Sequence, residues 1–371
     1  MICKLIDYAN ITMGQSPASE FYNSSGLGTP FLQGNRTFGR KYPSFDTWTT
    51  SASKMARKGD VIMSVRAPVG ELNIAPDDFC LGRGVCSIRS NDPNQEFLFY
   101  LLKYSISRLL SKQTGTVFGS VNRNDIGNLV IDLPSFERRT KIGRILSAID
   151  LKIQINERIN GCLTAKLSTM LKSFVNSLSD NPVVKLKQIL TLKKDTSQSG
   201  QDPELPYLPI DSIPMNSLAL SEIRPNSEAL SSLLRFQKDD ILVGAMRVYF
   251  HRVVLAPMDG LTRTTCFVLR PIEPEFLAYC LLTCNTDSAI DFAQQSSKGS
   301  TMPYAIWDGG LGEYEIPLPT KRQAEDFNRM AMPLIRMIQS SFFENKDLTI
   351  LRDSLLPKFM SGEIDVDNIE V

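Results

Sequence analysis

Histidine is almost missing from this chain of 371 residues: His251, in the run RVYFHRVVLA, is the only one. Its scarcity excludes most imidazole acid–base chemistry and most zinc sites, and a lone histidine in a strand-like run reads as packing or surface. Cysteine is sparse and unpatterned. The seven cysteines (Cys3, Cys80, Cys86, Cys162, Cys266, Cys280 and Cys284) form an odd set with no CxxC spacing, which excludes a zinc ribbon and a disulfide framework. Cys280 and Cys284 stand four apart and read as packing on one helix face. No apolar run approaches the roughly 18 residues of a membrane helix. The opening MICKLIDYANITMG lacks the basic start and long apolar stretch of a signal peptide, so a cytoplasmic location is expected. There is no G-x-x-x-x-G-K-[ST] loop and no G-x-G-x-x-G after a strand. Asn181-Pro182 lacks the Pro-Tyr of an amino-methyltransferase motif, and Pro76-Asp77 and Glu344-Asn345-Lys346, fragments of a nuclease signature, lie in different parts of the chain. The protein reads as one that binds rather than reacts.

An excess of charge is also lacking, since 41 basic residues balance 40 acidic ones. The distribution is uneven. Residues 1–134 carry 14 basic and 11 acidic side chains, residues 135–180 eight and four, and residues 181–319 twelve and sixteen. Residues 36–66 concentrate seven cations (Arg36, Arg40, Lys41, Lys54, Arg57, Lys58, Arg66) against Asp46 and Asp60. A strip of this kind on one face can bind phosphates although the total is balanced. Hydrophobic residues make up 42% and charged residues 22%, which are globular values, and the length suits two to four domains.

What the chain does have is a repeat. A long amphipathic segment follows Leu133-Pro134, and a second follows Leu318-Pro319, 185 residues later. The offset holds without a gap: Arg144 matches Arg329, Gln154 matches Gln339, Asn160 matches Asn345, Thr164 matches Thr349 and Phe174 matches Phe359. A period this long, met twice, marks one unit duplicated. In the first copy positions 142, 146, 149, 153, 156, 160, 163, 167, 170 and 174 alternate steps of four and three, a heptad seam with two central asparagines. A buried Asn at such a seam fixes register, because a slipped partner leaves it unpaired. Phe327, Leu334, Ile338, Asn345, Leu348, Leu355 and Phe359 continue the seam in the second copy, where Pro333 and Pro357 predict a late start or a kink. A helix of about 44 residues spans about 66 Å. It is too long for one domain, and pairing the two copies antiparallel is the natural way to bury both.

Ahead of each long segment lies a mixed α/β stretch. In the first, Lys58-Gly59-Asp60 is a turn, Val61–Val65, Glu71–Ala75 and Val85–Arg89 are strand candidates, and Gln95–Leu110 has helical spacing. A polar loop, a short turn and a strand ending at Leu133-Pro134 follow. In the second, Lys238-Asp239-Asp240 matches the turn, Phe276–Tyr279 matches Phe97–Tyr100, and Ile316–Pro319 matches Ile131–Pro134. The framework is shared and the loops differ, as expected of two sites that read different things.

PFLQGN at Pro30–Asn35, KGDVIMSVRAPVGELNIA at Lys58–Ala75, LGRGVCSIR at Leu81–Arg89, TGTVFGSVNRNDIGNLVIDLP at Thr114–Pro134 and the closing LRDSLLPKFMSGEI together resemble the specificity subunit of a type I restriction–modification system. The resemblance covers essentially the whole chain. It departs most in the second half, where Met246-Arg247-Val248-Tyr249 stands for the RAPVG turn and AIWDGG for NRNDI. It implies an α+β fold with two pseudo-repeated target-recognition domains (1–134 and 181–319) and two long antiparallel helices forming a coiled coil (135–180 and 320–371). It implies a non-catalytic reader of double-stranded DNA, each domain binding one half of a bipartite site, with the helices setting the gap. The implied partners are two methylation subunits, which carry S-adenosylmethionine, and a restriction subunit, which carries ATP and Mg; this chain itself binds no cofactor, no metal and no membrane.

The candidate DNA contacts are loop residues with charge or paired donor and acceptor groups, since Arg and Lys read guanine edges and Asn and Gln read adenine, although most contacts go to phosphate. In the first domain these are Gln15, Ser16, Gln33, Asn35, Arg36, Arg40, Lys41, Arg66, Arg83, Thr114, Ser120, Asn122 and Arg123. In the second they are Lys193, Lys194, Arg247, Arg263, Lys298, Ser300 and Thr301. The expected helix seam comprises Ile149, Ile153, Asn156, Asn160, Leu163, Leu334, Ile338, Asn345 and Leu348. The rival reading is an assembly scaffold that docks partners without reading bases.

Overall fold

A computed structural model describes residues 1–110, 119–299 and 301–369. The chain divides into two compact units, one formed by Met1–Leu151 with Thr349–Val371 and the other by Lys152–Leu348. Both are mixed helix and sheet.

Unit 1 begins with a two-stranded antiparallel ribbon, Ile2–Lys4 against Val130–Asp132. A four-stranded antiparallel sheet follows in the order Ala9–Met13, Val85–Ser90, Val61–Ser64, Leu72–Ile74. A smaller five-stranded sheet contains one parallel pair, Thr29–Leu32 beside Phe79–Leu81. The helix predicted over 95–110 spans Gln95–Leu110. It buries Phe97, Leu98, Leu101 and Leu102 in a core shared with Ile142, Leu146, Leu356 and Phe359, and burial of each such side chain contributes about 1.5–3 kcal/mol.

Unit 2 repeats the plan. Val183–Lys185 pairs with Glu315–Pro317, and the four-stranded sheet runs Leu190–Lys193, Cys266–Pro271, Ile241–Gly244, Val253–Leu255. The turn that enters Val61–Ser64 in unit 1 and Ile241–Gly244 in unit 2 shows why the KGD and KDD stretches match. Asp60 and Asp240 are buried. Each accepts the backbone N–H three residues before it, Arg57 at 2.9 Å and Gln237 at 2.7 Å. Each also pairs with an arginine from the neighbouring strand, Arg89 and Arg270. A buried carboxylate requires such partners. The one residue that differs, Gly59 against Asp239, has a positive φ in both units, +84° and +71°. In unit 2 a bidentate contact from Arg336 holds the aspartate there.

The central helix runs Phe136–Ser177 and the C-terminal helix Lys321–Ser361. The late start predicted from Pro333 does not occur: the helix begins at Lys321 and runs unbroken through Pro333 and Pro357. Both prolines are exposed, so the carbonyls left without a helix partner can face water. The helices pair antiparallel within each unit. In unit 1 Arg352 donates to Asp150 at 2.6 Å and Arg138 reaches Asp365 and Asp367. In unit 2 Phe174 stacks on Phe327 with centroids 4.3 Å apart.

Of the expected seam residues, Ile153, Asn156, Asn160, Ile338 and Asn345 are buried, while Ile149, Leu163, Leu334 and Leu348 are half-buried. Ile335, next to Leu334, is buried at 2%. Asn345 is the repeat counterpart of Asn160, yet its oxygen accepts from Nδ2 of Asn156 at 2.9 Å. That register sets Asn160 opposite Ser341, the repeat counterpart of Asn156. The mirror of the Asn–Asn pair is therefore broken: Asn160 Oδ1 is buried without a hydrogen-bond partner among the described residues, and Ser341 donates to its own helix at Met337 O. Ser341→Asn should supply the missing donor and stabilise the chain by about 1 kcal/mol. Thermal unfolding checks this; a lowered midpoint would mean that the larger amide does not fit.

Candidate nucleic-acid interface

In unit 1 a ladder of backbone hydrogen bonds gathers four separate loops. Gly82 N donates to Leu32 O (2.8 Å), Gly84 N to Gln33 O (3.0 Å), Val65 N to Gly84 O (2.9 Å) and Val121 N to Val65 O (3.0 Å). Arg66 and Ser120 form a bridge beside it, and Gln15 N donates to Leu81 O at 2.9 Å. Glycine is required for this approach. A Cβ on Gly82 would lie 2.6 Å from Gln33 Cα, and one on Gly14 would lie 2.0 Å from Gly82 O. The ladder brings together Gln15, Ser16, Gln33, Arg66, Arg83 and Ser120, of which all but the half-buried Ser16 are exposed.

The side chains within this cluster are ordered by donor counting. Ser16 Oγ accepts from Arg83 N at 3.1 Å and from Arg83 Nε at 3.4 Å. Both lone pairs are then engaged, so the hydroxyl hydrogen is what remains for Gln33, and it must meet an oxygen. Gln33 Oε1 lies 2.9 Å away. The carboxamide is thereby oriented with its NH₂ group outward, a donor pair suited to base-edge acceptors.

The other candidates of unit 1 are placed differently. Asn35 donates to Glu71 at 2.6 Å and Arg36 pairs with Asp46 at 2.6 Å, both at the surface. Arg40 donates to Thr349 on the C-terminal helix. Lys41 is half-buried, its Nζ 3.7 Å from Asp150 and 6.0 Å from the Phe99 centroid. Burial pulls its pKa down, partly offset by Asp150. Asn122 caps the short helix Arg123–Gly127 by accepting from Asn124 N and Asp125 N, which leaves Arg123 exposed at the first turn. Thr114 and Ser300 lie outside the described residues.

In unit 2 a hairpin joins Lys298 and Tyr304 through two 2.9 Å backbone bonds, and Arg247 N donates to Pro303 O at 2.8 Å. Arg247, Lys298 and Thr301 are thus brought together and exposed. Arg263 donates to Ser231. Lys193 and Lys194 sit at the end of the strand Leu190–Lys193, the first half-buried and the second exposed. Two features escape a reading of the sequence. Tyr304 takes the place of Ser120, bridging Met246 as Ser120 bridges Arg66. PYLPID at Pro206–Asp211 takes the place of PFLQGN: Tyr207 bridges Leu261 in parallel as Phe31 pairs with Cys80. Pro209 therefore stands where unit 1 has Gln33, and the two surfaces differ in kind.

Among the described residues no group of three or more His, Cys, Asp or Glu could hold a metal ion, and no helix is long and apolar enough to cross a membrane.

Residues 2–165 match the family model described as the type I restriction modification DNA specificity domain. The MjaVIII type I restriction enzyme specificity subunit of Methanocaldococcus jannaschii is 33% identical over 313 residues, 74% of this chain and 71% of that protein. The putative MjaX specificity subunit of the same organism is 40% identical over 153 residues, 41% of this chain. The chain spans 36% of the length of that relative. In fold, the crystal structure of a type I restriction–modification system S subunit from M. genitalium is similar, with a TM-score of 0.61 at 18% identity over 97% of this chain and 95% of that one.

Proposed function

Since the chain belongs to the type I restriction enzyme specificity subunits, we propose that it is the non-catalytic DNA reader of such a complex, working in the cytoplasm. Residues 1–134 and 181–319 each read one half of a bipartite duplex site, and the helices at 135–180 and 320–371 set the gap between the halves. Two methylation subunits dock on the helices and bring S-adenosylmethionine. A restriction subunit, with its ATP and Mg, completes the assembly.

The observation that carries this reading is the cluster of Gln15, Ser16, Gln33, Arg66, Arg83 and Ser120, drawn from loops far apart in sequence. Such a group has no evident structural purpose: its exposed cations and amides bury little apolar area. It offers base-edge donors beside phosphate-binding cations, the mixture that sequence readout needs. Asn35, Arg36 and Arg123, close in sequence to its loops, extend it, and Arg40 is a further contact from its place against Thr349, whereas Lys41 is committed to internal partners and is better read as a support for its loop. In unit 2, Arg247, Lys298 and Thr301 form the corresponding set, with Lys193, Lys194 and Arg263 as outlying phosphate contacts.

The test is a competition gel shift with the methylation subunit present, on random duplexes and on a selected sequence. The intact protein should prefer the selected duplex. Gln33→Ala should lose roughly 5- to 150-fold at one base position, the range of a good base contact. Arg83→Ala should weaken all duplexes alike if it meets phosphate. Absence of any preference in the intact protein would leave only an assembly scaffold.

A further inference from the structure

The turn between two paired strands of unit 2 is built unlike its counterpart in unit 1. Both turns leave the sheet through the same bonds: Ser64 N to Glu71 O and Val65 N to Gly84 O in one, Gly244 N to Arg252 O and Ala245 N to Thr265 O in the other, all at 2.9 Å. In unit 1 the excursion relaxes through a glycine, Gly70, at φ +91°. Unit 2 has no glycine there. It makes one tight turn, Val248–Phe250, flanked by Arg247 at φ +50° and His251 at φ +49°. Left-handed backbone is rare for residues with a Cβ and persists where the surroundings enforce it. The described residues hold five non-glycine positions of this kind, and a third, Asn216, donates its N–H to His251 O at 2.9 Å.

The enforcement is visible. Val248 is 2% exposed. Arg247 N is tied to Pro303 O at 2.8 Å. The His251 ring is buried, its Nε2 3.1 Å from both the backbone and side-chain oxygens of Asn285 and its Nδ1 3.4 Å from Asp287. Facing a backbone carbonyl, Nε2 must carry hydrogen. What this anchoring presents to solvent is one cation and one aromatic ring. Arg247 is exposed and Tyr249 is 44% exposed. Neither side chain has a hydrogen bond or ion pair among the described residues, and the one ring contact of Tyr249 among them is edge-on with Phe250. A turn needed merely to join two strands would not hold two strained residues in order to keep an arginine and a tyrosine free.

We infer that the Arg247–His251 turn is the specificity-determining finger of unit 2. Arg247 and Tyr249 contact duplex DNA, the arginine through a guanine edge or phosphate and the ring through a thymine methyl or sugar. His251 touches no DNA and is a positioning residue. Free arginine side chains need ordering before they read a base; a turn clamped at both ends supplies that order in advance. This inference rests on the reading of the units as DNA readers.

The experiment is selection from a random duplex library with the full chain bound to its methylation subunit, followed by affinity measurement on the selected sequence. Intact protein should yield a two-part consensus. Arg247→Ala and Tyr249→Ala should each relax the same half, leave the other half unchanged, and lose roughly tenfold or more in affinity. Both residues are exposed, so these variants should fold, and thermal unfolding confirms it. His251→Ala should relax that same half. His251→Asn should restore it in part, because asparagine tolerates the left-handed backbone and keeps a donor. An unchanged consensus and affinity in Arg247→Ala and Tyr249→Ala would overturn the finger while leaving the DNA reading intact. Failure of the intact protein to select any consensus would instead remove the reading beneath it.

Discussion

Asp150→Ala should destabilise unit 1 by about 3–5 kcal/mol, the loss expected when one partner of a buried ion pair is removed. Asp150 is 8% exposed and holds three groups at once. It accepts from Tyr100 Oη at 2.5 Å and from Arg352 Nη1 at 2.6 Å, and Lys41 Nζ lies 3.7 Å away. Among the described residues Arg352 keeps only Asp353 when Asp150 is gone, and Lys41 loses the carboxylate that offsets its burial. Two desolvated cations would then face each other across an empty site. Urea unfolding of the full chain should show the transition of unit 1 moving to lower denaturant. Asp150→Asn, which keeps one of the two acceptor oxygens without the charge, should fall between the intact protein and Asp150→Ala. Replacing Asp150 and Arg352 together by leucine should recover much of the loss, since apolar residues of similar volume often substitute for a buried pair at little cost. If Asp150→Ala shifts the midpoint by less than the equivalent of about 1 kcal/mol, water already reaches this cluster and the charges are not desolvated.

The double variant Ile155→Asp, Ile159→Asp should lose the methylation subunit, with an association constant lower by a factor of about 100 or more. The two isoleucines stand four apart on the central helix, 44% and 41% exposed, flanking the face that buries Asn156 and Asn160. They are half-exposed apolar residues of the kind that the proposed docking of a methylation subunit would cover, and central apolar anchors are worth about 2 kcal/mol or more each when truncated. Aspartate in an exposed helix interior costs well under 1 kcal/mol in propensity, so folding should survive, and unfolding curves separate the two effects. Co-purification and titration calorimetry read the outcome. Undiminished binding by a folded double variant would move the docking surface elsewhere on the chain.

How far the sequence speaks depends on the range of the interactions involved. The helix over 95–110 was legible because its apolar spacing is local. The duplication was legible from the gapless offset between the two long helices, and the KGD and KDD turns match because Asp60 and Asp240 use the same buried bonds. Of the late start or kink expected from Pro333, the late start does not occur, since tolerance of proline depends on which face meets solvent. The partner of Asn345 could not be read either: a repeat gives equivalence between residues, whereas contact across an antiparallel pair joins residues whose numbers sum to a constant. At the candidate interface the residue types were evident, but not their engagements. Lys41 finds Asp150 more than a hundred residues away. PYLPID escaped recognition because loop-length changes shift its offset and only Pro and Leu survive from PFLQGN.

Unit 1 is assembled from both ends of the chain, while unit 2 is a continuous stretch from Lys152 to Leu348. This arrangement dictates an order of synthesis. Unit 2 has all its residues once Leu348 has left the ribosome. Unit 1, although its sheet is made first, lacks Leu356 and Phe359, which complete its core, until the whole of unit 2 has been made. The nascent protein therefore carries an unfinished apolar surface while unit 2 is being made, the state most exposed to aggregation. Prior folding of unit 2 relieves the difficulty. It converts a loop of about 200 disordered residues into a compact body and removes most of the entropy that closing such a loop would cost.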